Sequence, residues 1–158
     1  KMNKLERSML PKASVIVLNF KRLKDTDQCL KSLFRTNYSN FEVIMVDNAS
    51  KDGSVEYVKE HYPEVKICEN EENLGYAGGN NTGLCLLDDE SKYVALVNND
   101  VIFDPDWLVE LVKVAEHDPA IGACQPKILQ LKKTRANTIQ IWKFFGLEVV
   151  QFSFAMKF

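Results

Sequence analysis

Short apolar runs and amphipathic stretches alternate along residues 14–130. "SVIVLN" (14–19) is a β-branched run of strand length and predicts a buried strand. In "DTDQCLKSLFRT" the apolar positions Cys29, Leu30, Leu33 and Phe34 share one helical face, and Asp25 and Gln28 have capping-box spacing. "FEVIMVD" (41–47) predicts a second strand, "NASKDGS" a turn, and "SVEYVKEHY" a helix that Pro63 stops. "VKICE" (65–69) and "YVALVN" (93–98) predict the third and fourth strands. Between them, "NLGYAGGNNTGL" (73–84) leads into a short helix near "TGLCLLDD". "DPDWLVELVKVAEH" opens a helix with Asp104 as N-cap and Pro105 at the first helical position. "IGACQPKIL" (121–129) predicts a fifth strand, at an edge or a bulge because Pro126 lacks the N–H a ladder needs.

Strands that alternate with helices imply an α/β layer structure with a mostly parallel central sheet flanked by helices. Right-handed crossovers then bring the loops that follow each strand to one rim, where such sheets bind ligands. Asn19, Asp47, the 73–81 segment and Asn98 to Asp100 are therefore expected to converge, although they are far apart in sequence.

Composition narrows the function classes. The chain has 158 residues, 46% of them hydrophobic, which suits one domain core. Its net charge of −2 provides no basic field for nucleic acid. Charge is uneven: residues 1–24 carry one acid, Glu6, among several Lys and Arg, and Glu148 is the only acid after Asp118. Cys29, Cys68, Cys85 and Cys124 form no CxxC and stand near no His pair, so they read as small buried apolar residues of a reducing compartment rather than zinc ligands. His61 and His117 sit near helix ends and read as structural. Residues 1–13 are charged and lack the apolar centre of a signal peptide, and no run approaches the ~20 apolar residues of a membrane span.

Nucleotide chemistry can be sorted by where the glycines lie. A dinucleotide fold places GxGxxG directly after the first strand, whereas here that loop reads "NFKRLKD". A Walker A loop needs GK[ST], and the chain has none. A phosphoacceptor receiver needs an acidic cluster at the first strand's end, where this chain has Asn19. The glycine segment permits close backbone approach and positive φ, and Asn80 or Asn81 can cap a helix whose N-terminus favours an anion. Taken alone, it reads equally as a tight turn with a cap and as a ligand loop. "VNNDVIFDPDW" adds a single carboxylate, Asp100, at the end of an apolar strand. Such a carboxylate can hold Mg²⁺ or Mn²⁺ if a diphosphate supplies further oxygens; the alternative is a turn cap, for which Asp104 is better placed.

Taken together, "SVIVLNF", "VIMVDNASKDGS", "NLGYAGGNNTGL" and "LVNNDV" resemble, in order, the motifs of the inverting family-two glycosyltransferases with the GT-A fold, in particular the rhamnosyltransferase-like branch. The resemblance runs from Ser14 to about Ile128. It implies a GT-A, Rossmann-like nucleotide-sugar fold over residues 14–131, preceded by a basic extension (1–13) and followed by an aromatic and basic tail (132–158) that is part of an incomplete acceptor-side region. It implies that Asn19 and Phe20 lie at the nucleotide base, that Asp47 accepts from the pyrimidine N3–H, and that Asn73, Gly75, Gly79 and Asn81 line the donor nucleotide. By the same resemblance Asn99 reaches the ribose and Asp100 ligates Mg²⁺ or Mn²⁺. The sequence departs from the family pattern at Asn98-Asn99-Asp100, which stands where the family has Asp-x-Asp, and at Lys21, where an asparagine is common.

The implied reaction moves a sugar from a UDP- or dTDP-sugar to an acceptor hydroxyl with inversion, in polysaccharide or glycoconjugate synthesis. A saccharide or lipid-linked saccharide would be the acceptor, in the cytoplasm or at the cytoplasmic face of a membrane. The family's base is an aspartate in a later acidic segment that this chain lacks, so the general base is unassigned. The alternative function is a nucleotide-sugar-binding module or inactive fragment without turnover. The tail "IQIWKFFGLEVVQFSFAMKF" reads as core or interface packing, with peripheral membrane or oligomer contact as the other use.

Overall fold

A computed structural model describes residues 10–128 together with the strands Gln140–Phe144 and Leu147–Gln151. The order of elements is β1 (Lys12–Asn19), α1 (Leu23–Leu33), β2 (Phe41–Asp47), α2 (Ser54–His61), β3 (Lys66–Glu69), α3 (Gly75–Leu84), β4 (Ser91–Asn98), α4 (Trp107–His117), β5 (Gln140–Phe144) and β6 (Leu147–Gln151). The first four strands form one parallel sheet in the order β3-β2-β1-β4. This is the α/β sheet that the alternating pattern predicts. Internal contacts divide the chain into a unit ending at Val112 and a unit beginning at Lys113. In the second unit β5 and β6 pair antiparallel, with Glu148 opposite Lys143 in register.

β1 lies inside the sheet and is apolar on both sides. Val15 and Val17 face a core built with Cys29, Leu30 and Leu33 of α1, Val58 of α2 and Trp107 and Leu108 of α4. Ile16 faces the other way, with Ile44 and Val46, toward α3. A strand covered on both faces has no polar alternation, which is why "SVIVLN" reads as a continuous run.

Several element boundaries differ from the sequence expectation. α1 begins at Leu23, ahead of Asp25, with Arg22 at its N-cap in a left-handed conformation and no side-chain cap; the Asp25 carboxylate pairs with Arg22 instead of closing a capping box. α4 begins at Trp107, because Asp104 caps a turn first, its Oδ1 accepting from the Asp106 amide at 2.9 Å and its carbonyl from the Trp107 amide at 3.1 Å. Residues 121–128 carry no strand, and Leu129 lies outside the described residues; Pro126 can offer no ladder donor there. β1 takes in Lys12 and Ala13, which the sequence assigns to a basic extension, and Lys12 is tied to Asp88. The rest of that extension, residues 1–9, and the tail outside β5 and β6 lie outside the described residues.

The cysteine expectation holds in part. Cys29 is buried, its thiol pushed up to about 12 by desolvation, but Cys85 and Cys124 are exposed and Cys68 is intermediate. All four are free thiols. His61 packs structurally, stacked on Tyr57 at 4.0 Å between ring centres. No helix among the described residues is long and apolar enough to cross a membrane.

At the sheet edge away from the loops that follow the strands, Glu42 ties three elements together. It pairs with Lys66 at 2.8 Å and accepts from the Ser14 hydroxyl at 2.5 Å and the Asp88 amide at 2.8 Å. Burial, the largest influence on its carboxyl, would raise the pKa, yet Lys66, Ser14 and the Asp88 amide together hold it below the ordinary value of 4.5. A depressed folded-state pKa contributes stability above the unfolded value and loses it as pH falls through the folded value. The chain should therefore lose stability as pH drops below 4.5. Glu42→Gln should flatten that loss while lowering stability at neutral pH. Denaturant melts of both chains across the acid range check this, and identical acid slopes would remove Glu42 from the account.

Candidate functional site

The tips of β1, β2 and β4 are joined by one buried amide. Asn19 is fully buried, and its Nδ2 donates to Asp47 Oδ1 at 2.6 Å and to Ser50 Oγ at 3.0 Å. Its Oδ1 accepts from Thr26 Oγ1 at 2.7 Å and from Asn99 Nδ2 at 2.9 Å. An amide has two donors and two acceptor positions, so Asn19 is saturated. It holds the rim together and has no hydrogen-bonding position left for a ligand. Sequence reasoning placed Asn19 at the rim but missed Thr26 and Ser50, which complete the network.

Asp47 is 4% exposed and sits at the mouth of the β2–α2 turn. Its Oδ1 takes Asn19 Nδ2 and the Ser50 hydroxyl, and its Oδ2 takes the Ser50 amide at 2.9 Å. Three of a carboxylate's roughly four acceptor positions are thus filled. The Asp47-x-x-Ser50 spacing is that of a side chain bonding its own turn, a signal the sequence does carry. The turn is strained, with Ala49 at φ 58° and Lys51 at φ 53°. A cleft of about 220 Å³ opens beside it, lined among others by Asp47, Ser50, Gly53, Glu69 and Asn70. A second, of about 560 Å³, is lined by Asn70, Glu71, Glu72 and Leu74. Both therefore lie at the carboxyl ends of the strands.

The glycine segment is itself a helix and does not merely lead into one. α3 starts at Gly75, whose φ of 69° favours glycine, and Asn73 Oδ1 accepts from the Gly75 amide at 2.9 Å. Gly79 and Gly83 give α3 a flat face. A Cβ on Gly79 would stand 2.5 Å from Leu18 and 2.8 Å from the Asn48 amide, and one on Gly83 would stand 2.8 Å from Val46 and 2.9 Å from Ile16. Asn48, unremarked in the sequence, anchors the approach: its Nδ2 donates to the Gly75 carbonyl at 3.0 Å and its Oδ1 accepts from Asn70 at 2.8 Å. Neither Asn80 nor Asn81 caps the helix, because both lie within it. Asn81 is exposed, whereas Asn80 is buried and its Oδ1 has no partner among the described residues.

At the end of β4, Asn99 turns its amide nitrogen inward to Asn19 Oδ1, to Thr26 Oγ1 at 3.0 Å and to the Lys21 carbonyl at 3.2 Å. Asp100 points outward enough to be 22% exposed in its side chain and meets Arg22 Nη1 at 3.3 Å. Phe20, 41% exposed, stands on the same rim with the Lys21 ammonium 5.0 Å over its ring. No group of three or more His, Cys, Asp or Glu placed to hold a metal ion occurs among the described residues, so a divalent ion at this rim would need further oxygens from a ligand. A lone, partly exposed carboxylate at the ligand rim fits a hard divalent ion on those terms.

Comparison with known proteins agrees with this architecture. The family described as glycosyl transferase family 2 matches residues 14–153, which carries the match past Ile128, where the sequence resemblance fades, into the β5–β6 region. An uncharacterized glycosyltransferase of Haemophilus influenzae is 28% identical over 143 residues, 84% of this chain and 44% of that protein. The uncharacterized glycosyltransferase YibD of Escherichia coli is 31% identical over 117 residues, covering 72% of this chain and 33% of that protein. Among solved structures, the mannosyltransferase PcManGT from Pyrobaculum calidifontis, in complex with GDP-Man and Mn²⁺, superposes with a TM-score of 0.66 at 27% identity over 73% of this chain and 35% of that one. TarS of S. aureus, residues 1–349 in complex with UDP-GlcNAc, has a TM-score of 0.61 at 22% identity over 77% of this chain and 38% of that one, a likeness of fold. The chain spans less than half the length of each of these relatives.

Proposed function

The chain belongs to glycosyl transferase family 2, and from that premise we propose that it binds a UDP- or dTDP-sugar at the β1–β2–β4 rim. We propose further that, as the donor-binding portion of a longer enzyme, it serves sugar transfer to an acceptor hydroxyl with inversion. The observation that carries this is Asp47, a carboxylate beside a cleft with one acceptor position still open. One position suits one donor. Uracil and thymine present a single N3–H, cytosine presents a bare N3 that a carboxylate repels, and guanine presents N1–H and N2–H side by side.

Other residues at the rim take roles in keeping with their geometry. Phe20 has the exposure to lie along a base, and Leu74, just ahead of α3, lines the neighbouring cleft with Asn70, Glu71 and Glu72. Asn19 positions Asp47 and Asn99 rather than touching the donor. Asn73, Gly79 and Asn81 set the wall, with Gly79 keeping α3 close to Asn48. Asn99 belongs to the network and adjoins Asp100 in sequence, and it is the ribose-side candidate. Asp100 would hold Mg²⁺ or Mn²⁺, which when bound supplies charge to stabilise the departing diphosphate. Polysaccharide or glycoconjugate synthesis at the cytoplasmic face of a membrane, with a saccharide or lipid-linked saccharide acceptor, is the setting such chemistry fits.

Asp47→Ala should erase the preference for UDP over CDP. A hydrogen bond to a charged acceptor contributes about 1.5–3 kcal/mol, so the wild-type ratio should be at least about tenfold. Calorimetric titration of both nucleotides into both chains measures it, and equal wild-type affinities count against Asp47 as the base reader. Stability should fall too, because the Ser50 amide and Asn19 Nδ2 lose an acceptor.

Transfer also needs a base within hydrogen-bond reach of the acceptor hydroxyl. After Asp118 the chain offers only Glu148, in β6 opposite Lys143. This chain alone should bind donor and release nucleoside diphosphate slowly, without stimulation by acceptors. A coupled assay for released diphosphate over an acceptor panel tests that; robust acceptor-dependent turnover would make Glu148 the first residue to mutate.

A further inference from the structure

The β1–α1 turn holds two consecutive non-glycine residues in the left-handed region, Lys21 at φ 62° and Arg22 at φ 65°. A side chain is strained in that region, so surrounding bonds must impose the conformation. The Lys21 amide donates to Ser50 Oγ at 2.8 Å, and its carbonyl accepts from Asn99. The Arg22 carbonyl accepts from the Asp25 amide at 2.9 Å and the Thr26 amide at 3.2 Å. Backbone held this way aims one guanidinium at two carboxylates. Arg22 Nε pairs closely with Asp25 Oδ2, while Nη1 reaches Asp100 Oδ2 at 3.3 Å. A charge-assisted bond of full strength is about 2.7–2.9 Å, so Asp25 is the anchor and Asp100 the looser partner. The Arg22 side chain is 44% exposed.

We propose that Arg22 is a displaceable counter-cation of Asp100. It competes with a divalent cation for Oδ2, so the cation alone binds weakly. The donor's diphosphate offers the guanidinium another anion, releases Asp100, and lets cation and diphosphate load together. This rests on the assignment of Asp100 as the cation ligand.

The test is calorimetric titration of Mn²⁺, without nucleotide and with saturating UDP, into wild type, Arg22→Gly, Arg22→Gln, Lys21→Gln and Asp100→Asn. Glycine adopts φ 65° without penalty, so Arg22→Gly should melt no lower than wild type and keeps the test clear of misfolding. Removing a partly exposed ion-pair partner should tighten Mn²⁺ binding without nucleotide about three- to fivefold in both Arg22 variants. The gain in Mn²⁺ affinity on adding UDP should shrink by a similar factor. Lys21→Gln removes the same charge one residue away and should leave Mn²⁺ affinity within about twofold, since its ammonium does not touch Asp100. Unchanged Mn²⁺ affinity in both Arg22 variants, with binding lost in Asp100→Asn, overturns the competition and leaves the cation assignment standing. An equal gain in Lys21→Gln also overturns it, by reducing the effect to general field. Undiminished Mn²⁺ binding by Asp100→Asn overturns the cation assignment and the competition with it.

Discussion

Asp100→Asn should lose divalent-dependent nucleotide binding and keep its fold. Asp100 lies two residues beyond the end of β4, is partly exposed, and makes its described side-chain contact with Arg22. Exchanging its carboxylate for an amide removes an anionic oxygen donor from the rim's β4 corner while preserving shape. The surface pair it breaks contributes less than about 1 kcal/mol, so the melting temperature should barely move. Binding is different. No cluster of three or more metal-ligating side chains stands ready among the described residues, so a cation held by Asp100 would draw much of its coordination from the diphosphate. Mn²⁺ should stop improving UDP affinity, a loss of about tenfold or more, or roughly 1.4 kcal/mol. Paired titrations with Mn²⁺ and with a chelator measure it. A variant that retains the full Mn²⁺ enhancement would show that the cation sits elsewhere.

Gly83→Val should cost the most stability of any single change considered. α3 rests on β1 and β2 through positions with no side chain, and a Cβ at residue 83 meets Val46 and Ile16 at 2.8 and 2.9 Å. Both neighbours are β-branched residues on interior strands, fully buried, with no space to turn aside. The helix must lift off the sheet or the strands must shift, at about 2–3 kcal/mol. Gly79→Ala should cost less, because Leu18 is flexible and alanine regains about 1 kcal/mol of helix propensity. It should nevertheless weaken nucleotide binding, since its Cβ pushes on Asn48, which ties α3 to β2 and β3. Chemical denaturation with parallel UDP titration separates the two effects. A Gly83→Val chain as stable as wild type would mean that α3 does not pack as described.

Those two glycines also show where sequence reading stops. Buried strands with β-branched runs were legible, and β2 fell on the predicted residues Phe41–Asp47. So was the rim, because parallel order and right-handed crossovers follow from alternation alone. Local signals misled where longer-range packing decided the backbone. A run with four glycines among twelve residues carries poor helix propensity, yet α3 forms there because Gly79 and Gly83 let it lie against the sheet. Asp25 has the spacing of a capping-box start, but the charge of Arg22 claims its carboxylate and the helix begins earlier. Asn19 stood out as a polar residue ending an apolar strand; that it would be saturated by Asp47, Ser50, Thr26 and Asn99 depends on four separate segments and leaves no trace in local sequence. The Asp47–Ser50 turn was the exception, a detail of the candidate site with a local signature.

The open acceptor of Asp47 beside the β2–α2 cleft, with Asp100 across the rim, makes base identity the most direct test of the whole account. Calorimetry of UDP and GDP binding to the wild-type chain, each with Mn²⁺ and with a chelator, provides it. The account predicts Mn²⁺-enhanced binding of UDP and at least about tenfold weaker binding of GDP, the loss expected when one of guanine's paired donors finds no acceptor. GDP binding as tight as UDP, or UDP binding indifferent to Mn²⁺, would contradict it.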